Sequence, residues 1–198
     1  MSKRDEKKIV RFGRKLLDPV VNLFVRLQIP PNALSITGFV LTFLVAFLYA
    51  NGWFRWAGLA LALAGMFDGV DGEVARRTNR VTKFGAFLDS VLDRLSEFLL
   101  FGGMLYYYRF SDTMFVVVFL AMAFSIMVSY TRARGEGLGV SVKSGIMDRV
   151  GRYIYLIIAS IIDGGLFNAL MVIFMLLTGL TVVARISRHY NRLASEID

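Results

Sequence analysis

Long apolar blocks alternate with short polar connections along almost the whole chain. Stretches near 33–51, 53–75, 84–107, 113–133, 146–164 and 166–187 each approach the ~20 residues that a helix needs to cross a bilayer. Backbone N–H and C=O groups find no water inside lipid, so such segments must satisfy their hydrogen bonds internally, as helices. A β-barrel would need polar and apolar residues to alternate, and the run from Phe115 to Phe124 does not. The pattern predicts an all-α integral membrane protein with six transmembrane helices. Ahead of them, Ile9, Val10, Phe12, Leu16 and Leu17 fall roughly on one helical face among Lys7, Lys8, Arg11, Arg14 and Lys15. This reads as an N-terminal amphipathic surface helix over 1–17, followed by one six-helix domain over 18–198. No small-residue cleavage site follows a short apolar core, so a cleavable signal peptide is not expected.

Charge orients the spans. The 198 residues include 23 Lys and Arg against 15 Asp and Glu, a formal charge of +8. Basic residues collect in the N-terminal segment, the 76–83 and 132–152 connections and the C-terminal tail with Arg188 and Arg192. The opposite connections hold only Arg55 and Arg109. The positive-inside rule then places both termini in the cytoplasm, with the cell (inner) membrane as the location. Trp53 and Trp56, with Tyr106, Tyr107 and Tyr108, read as outer aromatic belts. Charges that flank apolar spans suit anionic lipids and phosphorylated substrates rather than nucleic acid. Cysteine is absent. Disulfides, thiolate metal sites and a cysteine nucleophile are thereby excluded.

Four acids break the apolar pattern. Asp68 and Asp71 are three residues apart at the cytoplasmic end of the second span, and Asp89 and Asp93 are four apart early in the third. Each pair shares a helix face, and a short basic connection makes the two helices an antiparallel hairpin, so the four carboxylates can converge. An aspartate at the bilayer centre costs roughly 2.5–3.5 kcal/mol, so four would cost ~10–14 kcal/mol by simple addition, and less near the interface. Divalent hard cations with oxygen ligands are the compensation that fits best. Two metals bridging several carboxylates suit displacement at phosphorus. The plainer reading is that each acid faces water or pairs with Arg76, Arg77 or Arg94. Gly72, Gly85 and the small Ala75 would let a flat ring or a phosphate approach the backbone. Arg76, one turn beyond Gly72, can offer a bidentate guanidinium to a phosphate. Gly65 and Gly69 form a GxxxG pair, a signal for close helix approach.

The pattern Asp-x2-Asp-Gly-x2-Ala-Arg-x8-Gly-x3-Asp-x3-Asp, carried by Asp68, Asp71, Gly72, Ala75, Arg76, Gly85, Asp89 and Asp93, resembles the signature of the CDP-alcohol phosphotransferase family. The resemblance implies a CDP-linked lipid donor, two Mg2+ ions (or Mn2+) held by Asp68, Asp71, Asp89 and Asp93, and a homodimer. It implies Asp93 as general base, a cytidine pocket lined by Asp71, Gly72, Ala75 and Gly85, and a donor phosphate on Arg76. The stretch Pro30-Pro31-Asn32-Ala33-Leu34-Ser35 is a weaker match. Asn32 reads there as a helix N-cap and as a possible donor contact.

A second cluster is basic: Arg132, Arg149, Arg152 and Arg185, the last inside an apolar stretch where a charge tends to face the protein interior. Convergent arginines suit a dianionic phosphate. Retention at the inner leaflet is the plainer reading for Arg134, Lys143, Arg188 and Arg192. The arrangement resembles the inositol-phosphate lipid branch of the family, which implies a phosphorylated polyol acceptor, inositol 1-phosphate, held at Arg132, Arg152 and Arg185. That branch more often carries Glu-Arg-x-Glu-Arg where this chain reads Asp148-Arg149-Val150-Gly151-Arg152. Glycerol 3-phosphate as acceptor and CDP-inositol as donor stay open. So, from a different class, does a cation transporter with intramembrane carboxylates. His189, the only histidine, reads as an interfacial residue, and Glu73, Glu97 and Asp163 have no evident partner.

Overall fold

The computed structural model describes residues 17–140, 147–162 and 165–194. The predicted surface helix therefore lies outside the described residues except at its end, as do Lys143 and Asp163. Among the described residues every regular element is a helix and there is no strand. The helices are α1 (17–26), α2 (Pro31–Ala50), α3 (Phe54–Arg77), α4 (Lys83–Tyr107), α5 (Asp112–Gly137), α6 (Arg149–Ile162) and α7 (Leu166–Ala194). One helix corresponds to each predicted apolar stretch. By length and composition α2, α5 and α7 qualify as membrane spans. The aspartates, glutamates and arginines of α3 and α4 dilute their apolar character, and α6 has only 14 residues.

Two compact units divide the chain. The first comprises residues up to Leu41 and Leu63–Asp93. Its apolar core is Val21 of α1, Leu34 of α2, and Val70 and Val74 of α3. Pro31 opens α2, where its fixed φ and missing N–H cost nothing. Asn32 is therefore inside the first turn and is not the N-cap. The α3–α4 connection is residues 78–82, and Asn79 takes a positive φ of 53° that closes the end of α3. Arg77 fastens α1 to α3: it donates to Asp18, to Asn22 Oδ1 at 2.7 Å and to Glu73 Oε1 at 3.1 Å.

The second unit comprises Thr42–Ala62 and the chain from Arg94 onward. Its core joins Tyr49, Leu61, Phe101, Met104, Leu156 and Phe174. Helix α7 packs along α5 and also touches α6. Polar side chains in this unit pair with each other: Tyr49 with Ser160 at 2.7 Å, and Thr42 with Ser96 at 3.2 Å. At Gly69 of the predicted GxxxG pair a Cβ would meet only Leu17, at 3.7 Å. A close backbone approach occurs at Gly103 of α4, where a Cβ would lie 2.2 Å from the Ala46 carbonyl oxygen of α2. Trp53, Trp56, Tyr106 and Tyr107 are exposed, whereas Tyr108 is buried and donates to Asn168.

Candidate active site

Helices α3 and α4 bring the acids of the first unit together. Carboxylate oxygens of Asp68, Asp89 and Asp93 lie within 4.8 Å of one another, with Asp93 buried and the other two half-buried. Three like charges at that spacing repel strongly unless a cation lies among them, and an all-oxygen set suits a hard divalent ion. The residues fit such a metal. Asp71 is buried too but makes other contacts: Ser35 of α2 donates to its Oδ2 and the Gly72 N–H to its Oδ1.

A cavity of about 310 Å³ opens in the same unit. Its lining includes Asn32, Ser35, Asp71, Gly72, Ala75, Arg76, Gly85 and Asp89, so every residue predicted to touch the donor takes part. Asp89 belongs to both the carboxylate cluster and the cavity wall. The size is at the lower end for small-molecule sites. The two glycines shape the wall. A Cβ on Gly72 would meet only the Arg76 guanidinium, at 3.5 Å, and so would stand in the open space. One on Gly85 would crowd Thr82 Oγ1 at 3.0 Å and Asn32 Oδ1 at 3.3 Å. Arg76 donates from Nε and Nη2 to Glu73 Oε2, at 3.1 and 2.8 Å. Arg80, Val81 and Thr82 of the connection complete one side. Sequence reasoning missed Ser35, although it sits in the Pro30–Ser35 motif three residues beyond Asn32.

The predicted arginines all lie in the second unit, and Arg152 and Arg185 meet there on α5. Arg185 is 3% exposed and donates to the Val128 carbonyl of α5. Arg152 is 1% exposed and donates to the next residue, Ser129, at 2.9 Å. Arg132 lies one turn further along α5, is exposed and donates to Glu136 at 2.9 Å. Arg149 is half-buried and stacks over the Tyr153 ring at 5.5 Å. Glu97 does have a partner, since it accepts from Arg152 Nη2. The signal for it was one acid inside the apolar run Leu95–Phe101 and one arginine inside another, opposite charges that must meet if both are buried. His189 is buried within the protein. Its Nδ1 lies 2.8 Å from the Arg185 carbonyl oxygen, and its ring packs where a Gly135 side chain would otherwise be.

Comparison with known proteins now decides the class, because the CDP-alcohol phosphatidyltransferase family matches residues 28–184. The chain belongs to that family. The archaetidylinositol phosphate synthase of Methanothermobacter thermautotrophicus is 33% identical over 184 residues, spanning 91% of each chain. The archaetidylinositol phosphate synthase of Pyrococcus horikoshii is 38% identical over 177 residues, spanning 88% of this chain and 89% of the relative. The fold resembles the crystal structure of Mycobacterium tuberculosis phosphatidylinositol phosphate synthase with CDP-DAG bound. There the TM-score is 0.80 at 22% identity, covering 89% of this chain and 94% of that one. Family membership makes the protein a membrane enzyme and sets the cation-transporter reading aside.

Proposed function

We propose that the protein transfers a phosphatidyl group, or its archaeal ether-lipid equivalent, from a CDP-linked lipid to a hydroxyl of inositol 1-phosphate, releasing CMP. The observation that carries this reading is the carboxylate cluster of Asp68, Asp89 and Asp93, joined through Asp89 to a glycine-walled cavity. The donor half of the reaction follows from those side chains. Gly72, Ala75 and Gly85 would leave a flat slot for cytidine, with Asn32 and Asp71 at its edge. Arg76 Nη1, not used on Glu73, is the donor for a phosphate oxygen. Asp68, Asp71, Asp89 and Asp93 would hold two Mg2+ ions, or Mn2+, which when bound neutralise the diphosphate and the departing CMP.

In the transfer step the acceptor oxygen bonds to the phosphorus next to the lipid alcohol. The bond from that phosphorus to the CMP oxygen breaks, and the hydroxyl proton passes to Asp93 as general base. Arg132, Arg152 and Arg185, with Arg149 at the rim, would recognise the acceptor phosphate. The names of the archaeal relatives favour an inositol phosphate over glycerol 3-phosphate. Six transmembrane spans, cytoplasmic termini and active site, and a homodimer complete the proposal. Supporting the span count, one helix corresponds to each predicted apolar stretch.

The test is CMP release by purified protein supplied with CDP-diacylglycerol and Mg2+. Inositol 1-phosphate, glycerol 3-phosphate, inositol and serine are offered in turn. Turnover with inositol 1-phosphate is expected. Turnover with another acceptor alone would correct the specificity and leave the transfer chemistry standing.

A further inference from the structure

At 2% exposure, Glu97 is the most enclosed carboxylate among the described residues. A charge at that depth needs a partner of opposite sign. Arg152 supplies it. Its Nη2 donates to Glu97 Oε1 and to Ser129 Oγ, and its Nη1 donates to the Met147 carbonyl at 3.2 Å. The guanidinium is thus clamped from α4, from α5 and from the segment that leads into α6.

Three features point to a role for the clamp beyond the fold. Arg152 and Arg185 converge on consecutive residues of α5, Ser129 and Val128, so two buried guanidiniums share one turn. Glu97 is the one buried carboxylate among the described residues of this unit, which leaves a net positive charge for an anion to neutralise. In addition, Arg152 Nε is buried with no hydrogen-bond partner among the described residues, as is the second oxygen of its partner, Glu97 Oε2. A buried donor left unmade is costly, and an anionic oxygen would satisfy it.

We infer that Glu97 is a positioning residue for the acceptor. By holding Nη2 it fixes the Arg152 guanidinium so that Nε–H remains for a phosphate oxygen. The inference rests on the reading of Arg152 as part of the acceptor pocket, and it adds a residue outside the donor signature that sets acceptor affinity. A clamp that served the fold alone would change melting temperature without singling out one substrate.

Steady-state CMP release with the full chain tests this, varying inositol 1-phosphate and CDP-diacylglycerol separately. E97Q is expected to raise the KM for inositol 1-phosphate roughly ten- to a hundred-fold, the scale of a charge-assisted hydrogen bond, with donor KM and kcat little changed. R152Q is expected to do the same. The double variant should be no worse than R152Q, because Glu97 acts through Arg152. A wild-type acceptor KM in E97Q beside a raised one in R152Q would overturn the inference and keep the acceptor pocket. Additive losses in the double variant would overturn it as well. A wild-type acceptor KM in R152Q would instead remove Arg152 from the pocket, and the inference with it. Should E97Q not fold, E97D keeps the charge at shorter reach. A raised acceptor KM at a wild-type melting temperature is then expected, and an unchanged KM overturns the inference.

Discussion

Replacing Gly72 by alanine adds one methyl group to α3 at the wall of the cavity proposed for the donor. An ideal Cβ there meets nothing but the mobile end of Arg76, at an ordinary contact distance of 3.5 Å. The fold has no reason to object. Alanine is even worth about 0.5–1 kcal/mol over glycine inside a helix. The methyl does enter a space of only about 310 Å³ that, in the proposed function, a nucleotide shares with the backbone. Overfilling a fitted site by one such group costs about 1–3 kcal/mol. At ~1.4 kcal/mol per tenfold, donor binding should weaken roughly 5- to 150-fold. The assay is CMP release against CDP-diacylglycerol concentration, paired with thermal unfolding in detergent. A higher donor KM at an unchanged or slightly raised Tm is expected. A wild-type donor KM would refute the assignment of the cavity, and a lowered Tm would refute the packing argument.

The same substitution at Gly103 should have the opposite signature. Its Cβ would fall 2.2 Å from a backbone oxygen that cannot move aside, so G103A is expected to lose at least ~1–3 kcal/mol of stability and show a lower Tm. Asp93→Asn keeps the shape of the carboxylate but removes its basicity. Turnover should vanish while CDP-diacylglycerol binding, followed by calorimetry, is largely retained, and normal turnover would remove Asp93 as base. Chelation of divalent ions should abolish CMP release, with recovery on adding Mg2+ or Mn2+. Activity that survives complete chelation would count against the carboxylate cluster as a metal site.

What could be read without a structure was what is local. Asp68 and Asp71, and Asp89 and Asp93, are set by helical spacing, and a connection as short as 78–82 leaves little choice but an antiparallel return. Helix existence was legible for the same reason, since six apolar blocks of the right length have few alternatives in lipid. What escaped was tertiary. Glu97 and Arg152 are 55 residues apart, and nothing in either neighbourhood names the other. Ser35 meets Asp71 across 36 residues, which depends on how α2 lies along α3. Asn32 was assigned to a cap because Pro31 was placed before the helix rather than as its first residue. The burial of His189 was equally hidden, because it depends on Gly135 of another helix.

The acids of the carboxylate cluster all come from residues 68–93, one uninterrupted stretch of two helices and their connection. The arginine cluster is assembled instead from α5, α6 and α7, with its counter-charge on α4. The chemistry common to a family can thus be inherited as a single cassette. On the proposed reading of the arginines, the choice of partner alcohol is spread over distant codons, where it can drift by single substitutions without disturbing the reaction. Divergence in what is made, at constant machinery for making it, is the evolutionary path that such a division of labour leaves open.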